Sequence, residues 1–286
     1  MQKGASVTDT ATGVPPLERP LPVPTPLQAF WGRFGPTLIT VINLSIFVNM
    51  WQIVQGSSDP LVNTRWIPAP LDIVDAIILN IKNGELIKHA SFSGTNYLIG
   101  MAIAIVAGII LGILLGLNPI VRSVSQAYTW VGFCTPTVAL LPILIILFGL
   151  GVISKIFLVV LMGFFPIMIN VLNGVATIDP VLMKAARLFG ANRGQLFRKI
   201  TLPYILPWIM IGIRIAAERS LGGVIIAEIF GSSRGLAYMI AQETDKFNSA
   251  GSYTAIAALM AFSLIVLYGV DRVEQKTLSW REASKY

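Results

Sequence analysis

The sequence contains little charge, one cysteine and one histidine. Only 12% of its 286 residues are charged, whereas a soluble domain carries about 25%, so too few charges are present to cover a water-facing surface. The single cysteine, Cys134, excludes an internal disulfide framework and a cysteine-cluster metal site. The single histidine, His89, argues against a histidine-rich metal site and a Ser-His or Cys-His catalytic pair. We therefore expect no catalytic residue, no metal site and no cofactor bound by this chain.

The sequence is instead rich in long apolar runs, with 55% hydrophobic residues. Five stretches of 23 to 32 residues contain no charged side chain, and a helix that crosses the hydrocarbon core needs about 20 residues. A sixth apolar stretch, from Tyr204 to Phe230, contains four charges. Because a backbone in lipid must satisfy its own hydrogen bonds, these spans are expected to be helices. The sequence predicts an all-α polytopic membrane protein with six transmembrane helices near residues 36–55, 94–116, 127–149, 156–175, 204–230 and 252–271.

The Lys and Arg residues predict the orientation of these helices. With the N-terminus inside, 13 of them fall on inner segments and 6 on outer segments, and basic loops stay on the cytoplasmic side. We expect a flexible, proline-rich N-terminal tail over residues 1–35, a transmembrane domain over residues 36–271 and a C-terminal tail over residues 272–286, with both tails cytoplasmic. The net charge of +7 is then explained by the membrane, without nucleic acid.

The outer loop 56–93 contains an amphipathic segment. Val74, Ile77, Ile78 and Ile81 recur at helical spacing, and the same stretch has polar positions at Asp72, Asp75 and Lys82. This pattern predicts a short helix at the outer interface. Such a helix either forms a rim on which an external partner docks or lies against lipid or the other helices.

The inner loop between the fourth and fifth spans is predicted to be structured. Asp179 is a good N-cap, and Pro180 suits the first position of a helix. Gly190 can adopt the left-handed conformation that ends a helix. Asn192 and Gln195 have the spacing of a capping box. These signals predict two short helices that meet at an angle.

The bend has a characteristic pattern of residues: Lys184-Ala185-Ala186 lies four residues before Gly190, and Ile200-x-Leu202-Pro203 follows after nine residues. The pattern resembles the EAA loop of binding-protein-dependent ABC importer permeases, in which the loop forms a coupling helix seated in a groove of a cytoplasmic ATPase. Lys184 stands where that motif has its leading Glu. The resemblance implies that residues 179–203 couple the chain to the ATPase through Lys184, Ala185, Ala186, Gly190, Ile200, Leu202 and Pro203.

Shorter pieces elsewhere are similar to the nitrate, sulfonate and taurine branch of that family. They include Ile67–Pro70, Pro136–Ile143, Phe148–Gly151 and the run from Ser233 to Leu236. The resemblance implies the type I importer (MetI-like) permease fold in the inner (plasma) membrane. It also implies two ATPase subunits that hold ATP and Mg, a second permease copy that forms a homodimer, and a periplasmic or lipid-anchored solute-binding protein. The expected activity is inward movement of a small anionic solute (nitrate, a sulfonate such as taurine, or bicarbonate) by alternating access.

This chain is not expected to be an enzyme. It contains no phosphate-binding loop of the form Gly-x-x-x-x-Gly-Lys-[Ser/Thr], so ATP hydrolysis is expected on a separate subunit. An ion-coupled secondary transporter is the alternative, because intramembrane carboxylates such as Glu218 and Glu228 are able to serve ion coupling.

The fifth span carries four charges, which usually face an interior or a cavity. Arg214 or Arg219 provides positive potential for an anionic solute under one hypothesis. Under the other, Arg214 and Glu218, four residues apart on one helix face, pair with each other and hold the helix to its neighbours. The third and fourth spans add uncharged candidates. The predicted translocation path contains Phe133, Pro136, Met162, Asn170, Arg214, Glu218, Arg219 and Glu228.

Three glycines in the second span repeat every four residues, at Gly108, Gly112 and Gly116. This small-xxx-small pattern lets membrane helices approach closely. It predicts a packing role and no contact with solute.

Overall fold

The computed structural model describes residues 26–57, 63–64 and 66–282, and within these ranges the regular structure is entirely helical. A 3₁₀ turn (Thr137–Leu140) and a π-helical turn (Phe197–Thr201) join some of the helices. The helices in chain order are α1 (Pro26–Gln55), α2 (Pro70–Lys82), α3 (Glu85–Gly116), α4 (Pro119–Cys134), α5 (Leu141–Phe148), α6 (Val152–Ala176), α7 (Pro180–Leu188), α8 (Arg193–Leu196), α9 (Leu202–Gly231), α10 (Leu236–Asp245) and α11 (Ser249–Glu282).

Five segments are long and apolar enough to span a membrane, and α4 with α5 forms a sixth that is bent by 78°. The six predicted spans are therefore recovered, but the third, predicted over 127–149, is not one straight helix. The chain is extended at Thr135 (ψ 128°). The residue before a proline is driven out of the helical region by the proline ring, so Pro136 breaks the span.

One predicted boundary also moves. Helix α3 begins at Glu85 and not near residue 94, because Gly84 adopts a left-handed conformation (φ +74°) that turns the chain from α2 into α3. His89, predicted in the outer loop, is therefore buried on α3. The predicted amphipathic helix of the outer loop is confirmed as α2.

The predicted tails are helical where the structure describes them. Helix α1 begins at Pro26 and α11 continues to Glu282, whereas residues 1–25 and 283–286 lie outside the described residues. The chain separates into two compact units, Met1–Trp51 and Gln52–Tyr286. In the first unit, the apolar side chains of α1 are exposed, for example Leu44 and Phe47, as suits a helix that faces lipid.

The core of the second unit lies where α3, α6 and α9 pack against one another. The three glycines at four-residue spacing form the contact of α3 with α6. A Cβ atom on Gly112 would lie 2.8 Å from the Cβ of Val171, and one on Gly108 would lie 2.9 Å from the Cβ of Ile167. No larger residue fits at these positions without movement of the helices, so the predicted packing role is confirmed.

Candidate functional site

The segment 179–203 forms the two short helices that the sequence predicts. The Oδ1 atom of Asp179 accepts a hydrogen bond of 2.7 Å from the backbone N–H of Val181 and caps α7. At the other end Gly190 has a φ of +81°, and its N–H donates to the carbonyl of Arg187 at 3.0 Å. Asn192 and Gln195 form a reciprocal capping box with two hydrogen bonds of 2.9 Å. Local side chains and one glycine therefore define this bend.

The second short helix differs from the prediction because it does not end before the fifth span. Helix α8 continues through the π-helical turn into α9, so one helical segment runs from Arg193 to Gly231. The turn shifts the backbone hydrogen-bond register immediately before Pro203, which has no N–H to donate. In addition, the hydroxyl of Tyr204 donates to the carbonyl of Thr177 at 2.9 Å, which ties the start of α9 to the end of α6. The segment is therefore joined firmly to the helix bundle.

The side chains of the predicted coupling motif differ in their exposure. Lys184 and Gly190 are exposed on the outer side of the bend. The remaining residues, Ala185, Ala186, Ile200, Leu202 and Pro203, are half-buried and help to form the bend and the start of α9.

Two apolar side chains at the end of α7 were missed by the sequence reasoning. Leu188 and Phe189 are 89% and 92% exposed. Their signal was present in the sequence, since two large apolar residues directly precede Gly190 in a basic loop. These two adjacent side chains are therefore candidates for contact with another protein.

Three of the predicted path residues meet at one narrow cavity. The guanidinium Cζ atom of Arg219, on α9, lies 4.0 Å from the centre of the Phe133 ring, on α4. Met162 of α6 and Thr137 line the same cavity. Pro136 is exposed at the bend between Phe133 and Thr137. The broken third span therefore places an aromatic ring and a cation opposite each other at a constriction.

Two other predicted path residues make contacts away from this cavity. The side-chain amide of Asn170 donates to the carbonyl of Pro166 at 2.8 Å, within its own helix. The predicted Arg214–Glu218 pair is not formed. Arg214 instead reaches across to Asp271 and Glu274 of α11, with a distance of 2.9 Å to the Oε2 atom of Glu274. Two carboxylates on a facing helix attract the guanidinium more strongly than one on its own helix.

The last two predicted path residues have opposite surroundings. Glu218 is exposed on α9. Glu228 is 1% exposed and accepts a hydrogen bond of 3.0 Å from the backbone N–H of Ala237 at the start of α10. The hydroxyl of Ser93 on α3 also donates to Glu228 at 3.0 Å. Sequence reasoning did not find Ser93 or His89 as partners of this helix end, because residues separated by more than 130 positions carry no local signal of contact.

Known proteins are similar to this chain in both sequence and fold. Residues 104–279 match the family described as binding-protein-dependent transport system inner membrane component. The putative aliphatic sulfonates transport permease protein SsuC of Escherichia coli is 30% identical over 91% of this chain and 96% of its own length. The protein of the same name from Bacillus subtilis is 29% identical over 84% and 86%. The taurine transport system permease protein TauC of Escherichia coli is 25% identical over 87% and 92%.

A solved structure shows the same fold at low sequence identity. The MetNI methionine ABC transporter, in an inward-facing conformation, matches with a TM-score of 0.51 and 20% identity, over 74% of this chain and 98% of the matched chain. The predicted all-helical type I importer fold is thereby confirmed. The family match does not favour the alternative of an ion-coupled secondary transporter. This chain belongs to the binding-protein-dependent transport system inner membrane components, and it is a multi-pass permease subunit of an ABC importer, not an enzyme.

Proposed function

We propose that this permease moves a small anionic solute of the sulfonate type inward, and that residues 179–203 receive the driving force from cytoplasmic ATPase subunits. Relatives with 25 to 30% identity are named as permeases for taurine and aliphatic sulfonates. A sulfonate carries a negative charge, and the cation of Arg219 lies beside a constriction to which residues of three spans contribute. Arg219 would lower the energy of an anion at this point of the membrane.

One observation carries the proposal: a single helical segment joins the coupling end to the constriction. It runs from Arg193 to Gly231, and Arg219 lies 26 residues along it, roughly 39 Å at a rise of 1.5 Å per residue. Movement at one end of a continuous helical segment shifts the residues farther along it. Displacement of α7 and α8 by the ATPase would therefore move Arg219 relative to Phe133 on the separately bent third span, which opens or closes the cavity.

The exposed charges of α9 support a second permease copy. Glu218 and Arg219 are exposed in the single chain, although they lie inside a span, and a charge at the centre of a bilayer costs at least about 2.5 kcal/mol. The helix face that carries them must therefore border water or another protein. A homodimer whose two copies enclose a solute path between these faces satisfies the requirement.

The remaining subunits and the orientation follow the family pattern. Two ATPase subunits would bind ATP and Mg and hold α7, and an external solute-binding protein would deliver the solute. The excess of Lys and Arg on the segments next to α7 and α11 supports a cytoplasmic location for both termini, with the chain in the inner (plasma) membrane.

Transport in proteoliposomes tests this function. The permease is reconstituted with its ATPase and binding protein. Uptake of taurine, an alkanesulfonate, nitrate and bicarbonate is then measured with and without ATP on the side of the membrane where the ATPase lies. We expect ATP-dependent uptake of a sulfonate that requires the binding protein. Uptake that persists without ATP and stops when an uncoupler is added would contradict the proposal.

A further inference from the structure

The first backbone N–H groups of α10 are capped entirely by side chains from other helices. The N–H of Gly235 donates to the Nδ1 atom of His89 at 2.9 Å. The N–H of Leu236 donates to the Oγ atom of Ser93 at 2.8 Å, and that of Ala237 donates to Glu228 at 3.0 Å. The N-cap residue itself, Gly235, has no side chain with which to cap the helix. The start of α10 is therefore attached to α3 through two acceptors and to α9 through one.

This attachment is buried and electrostatically strong. Ser93 is 0% exposed, Glu228 is 1% and His89 is 5%, so water does not replace these hydrogen bonds. A carboxylate at a helix N-terminus is stabilised by the helix dipole. Lys155, itself buried on α6, attracts Glu228 electrostatically. Loss of any acceptor would leave a buried N–H without a partner, which destabilises the start of α10.

Steric fit also holds the start of α10 in one position. A Cβ atom on Gly235 would lie 2.2 Å from the Cδ atom of Glu228, and its φ of +122° disfavours any side chain. Gly235 therefore lies directly against the carboxylate of Glu228. The loop between α9 and α10 cannot slide along α9 without breaking this contact.

Helix α10 lines a cleft of about 690 Å³ at the end of α9 that is opposite the coupling segment. Its walls include Phe230 and Ser232 from the end of α9, Tyr238 and Gln242 from α10, and Leu150 from the loop before α6. The cleft is therefore built by the element that the buried cap fixes in place.

We propose that His89, Ser93 and Glu228 are positioning residues of the transport cycle, because they make α10 and its cleft move as one body with α3 and α9. The inference rests on the proposed function, since the motion begins at residues 179–203. Movement of the coupling segment would then reach α10 on the opposite side of the membrane, because the loop between α9 and α10 is held in place and does not absorb the movement. The buried cap would transmit the motion while it touches neither solute nor nucleotide.

Spin-label distances test the rigid connection. In the full complex with Cys134→Ser, labels are attached after Lys88→Cys on α3 and Asp245→Cys at the end of α10, both at exposed positions. We expect one narrow distance distribution that is the same without nucleotide and with a non-hydrolysable ATP analogue. With Glu228→Ala or Ser93→Ala, the distribution should broaden. A distance that changes with nucleotide in the otherwise unaltered complex would overturn the proposal.

The functional readout is stimulation of ATP hydrolysis by the loaded binding protein. We expect Ser93→Ala to lower this stimulation about tenfold, which is within the usual range of coupling between sites, and Glu228→Gln to retain most of it because an amide oxygen still accepts from Ala237. Ser91→Ala is the matched control. Ser91 lies two residues before Ser93 on the same helix, is exposed, and donates its hydroxyl to a carbonyl of that helix. Full stimulation in Ser93→Ala would refute the inference.

The two proposals fail in different ways. If the unaltered complex shows no ATP-dependent uptake, the proposed function is wrong. If uptake is normal but the distance between α3 and α10 changes with nucleotide, only the positioning role is wrong.

Discussion

At the residue scale, the charges of α9 have separate tasks although they lie on one helix. Arg214 pairs with two carboxylates of α11, Arg219 lies over an aromatic ring at the constriction, and Glu228 caps α10. A charge in hydrocarbon is costly unless it is paired or solvated, and the partners differ at each depth. The function of each charge therefore depends on what faces it.

The Arg219 cation is expected to set anion uptake. An anionic solute at the constriction would lose its electrostatic attraction to this cation, so Arg219→Ala should lower uptake at least tenfold. Arg219→Lys keeps the charge and should lower uptake only a few-fold. The assay is initial uptake in proteoliposomes, with complex assembly checked by gel filtration. Normal uptake by an assembled Arg219→Ala complex would remove this residue from the solute path.

The Phe189 ring is expected to anchor the ATPase. An apolar anchor in a partner pocket contributes about 2 kcal/mol, or roughly 30-fold in affinity, so Phe189→Ala should weaken ATPase co-purification by this factor. The thermal stability of the permease alone should not change, because the side chain is 92% exposed. Leu71→Ala, which removes exposed apolar surface from α2, is the control. Equal ATPase binding in Phe189→Ala and the control would contradict this role.

At the element scale, close packing and a break in one span divide the bundle into two kinds of helix. Helices α3, α6 and α9 pack through glycines and small side chains and form the core. Helices α4 and α5 are bent by 78° at Pro136 and contribute Phe133 to the constriction. The tightly packed helices are suited to move together, and the bent pair is suited to move against them.

Packing of α3 on α6 is expected to tolerate no added side chain at Gly112. Gly112→Val would force the helices apart, and overpacking costs about 1–3 kcal/mol, so thermal unfolding in detergent should occur at a lower temperature. The matched control is Gly269→Val on α11, where a Cβ atom meets nothing within 4 Å. Equal melting temperatures for the two variants would show that the close contact at Gly112 does not limit stability.

At the scale of the whole molecule, the main feature is a helical segment with a functional element at each end. One end carries α7 with the exposed Phe189, and the other carries α10, which is fixed by Glu228. The single chain also leaves Glu218 and Arg219 exposed within a span. Under the proposed function, this segment would transmit force along its length, and a second copy would help to enclose the solute.

The assembled transporter is expected to contain two copies of this chain and two ATPase subunits. A second copy covers the exposed charges of α9, which removes their cost in lipid. Native mass spectrometry of the detergent-extracted complex measures the copy numbers. A complex that transports solute with one copy of this chain would contradict the expectation, and a second, different permease would show that the dimer is heteromeric.

Much of this protein follows from its sequence alone. The five uncharged runs and the apolar stretch from Tyr204 to Phe230 predict six membrane spans, because a helix that crosses the bilayer needs about 20 residues and satisfies its own backbone hydrogen bonds. Asp179, Gly190 and the Asn192–Gln195 box determine the bend of the coupling segment, because capping is a local interaction. The spacing of Gly112 and its neighbours determines a packing face.

Only the tertiary structure decided which distant residues meet. One of the two hypotheses paired Arg214 with Glu218 on its own helix, yet Arg214 pairs with α11, because partners on other helices leave no trace in local spacing. For the same reason, the sequence did not predict the contact of Ser93 with Glu228, which are 135 residues apart. It also did not predict the contact of Phe133 with Arg219. Local hydrogen bonds and hydrophobic length are properties of a segment, whereas the energy of a buried charge depends on whatever the fold places beside it.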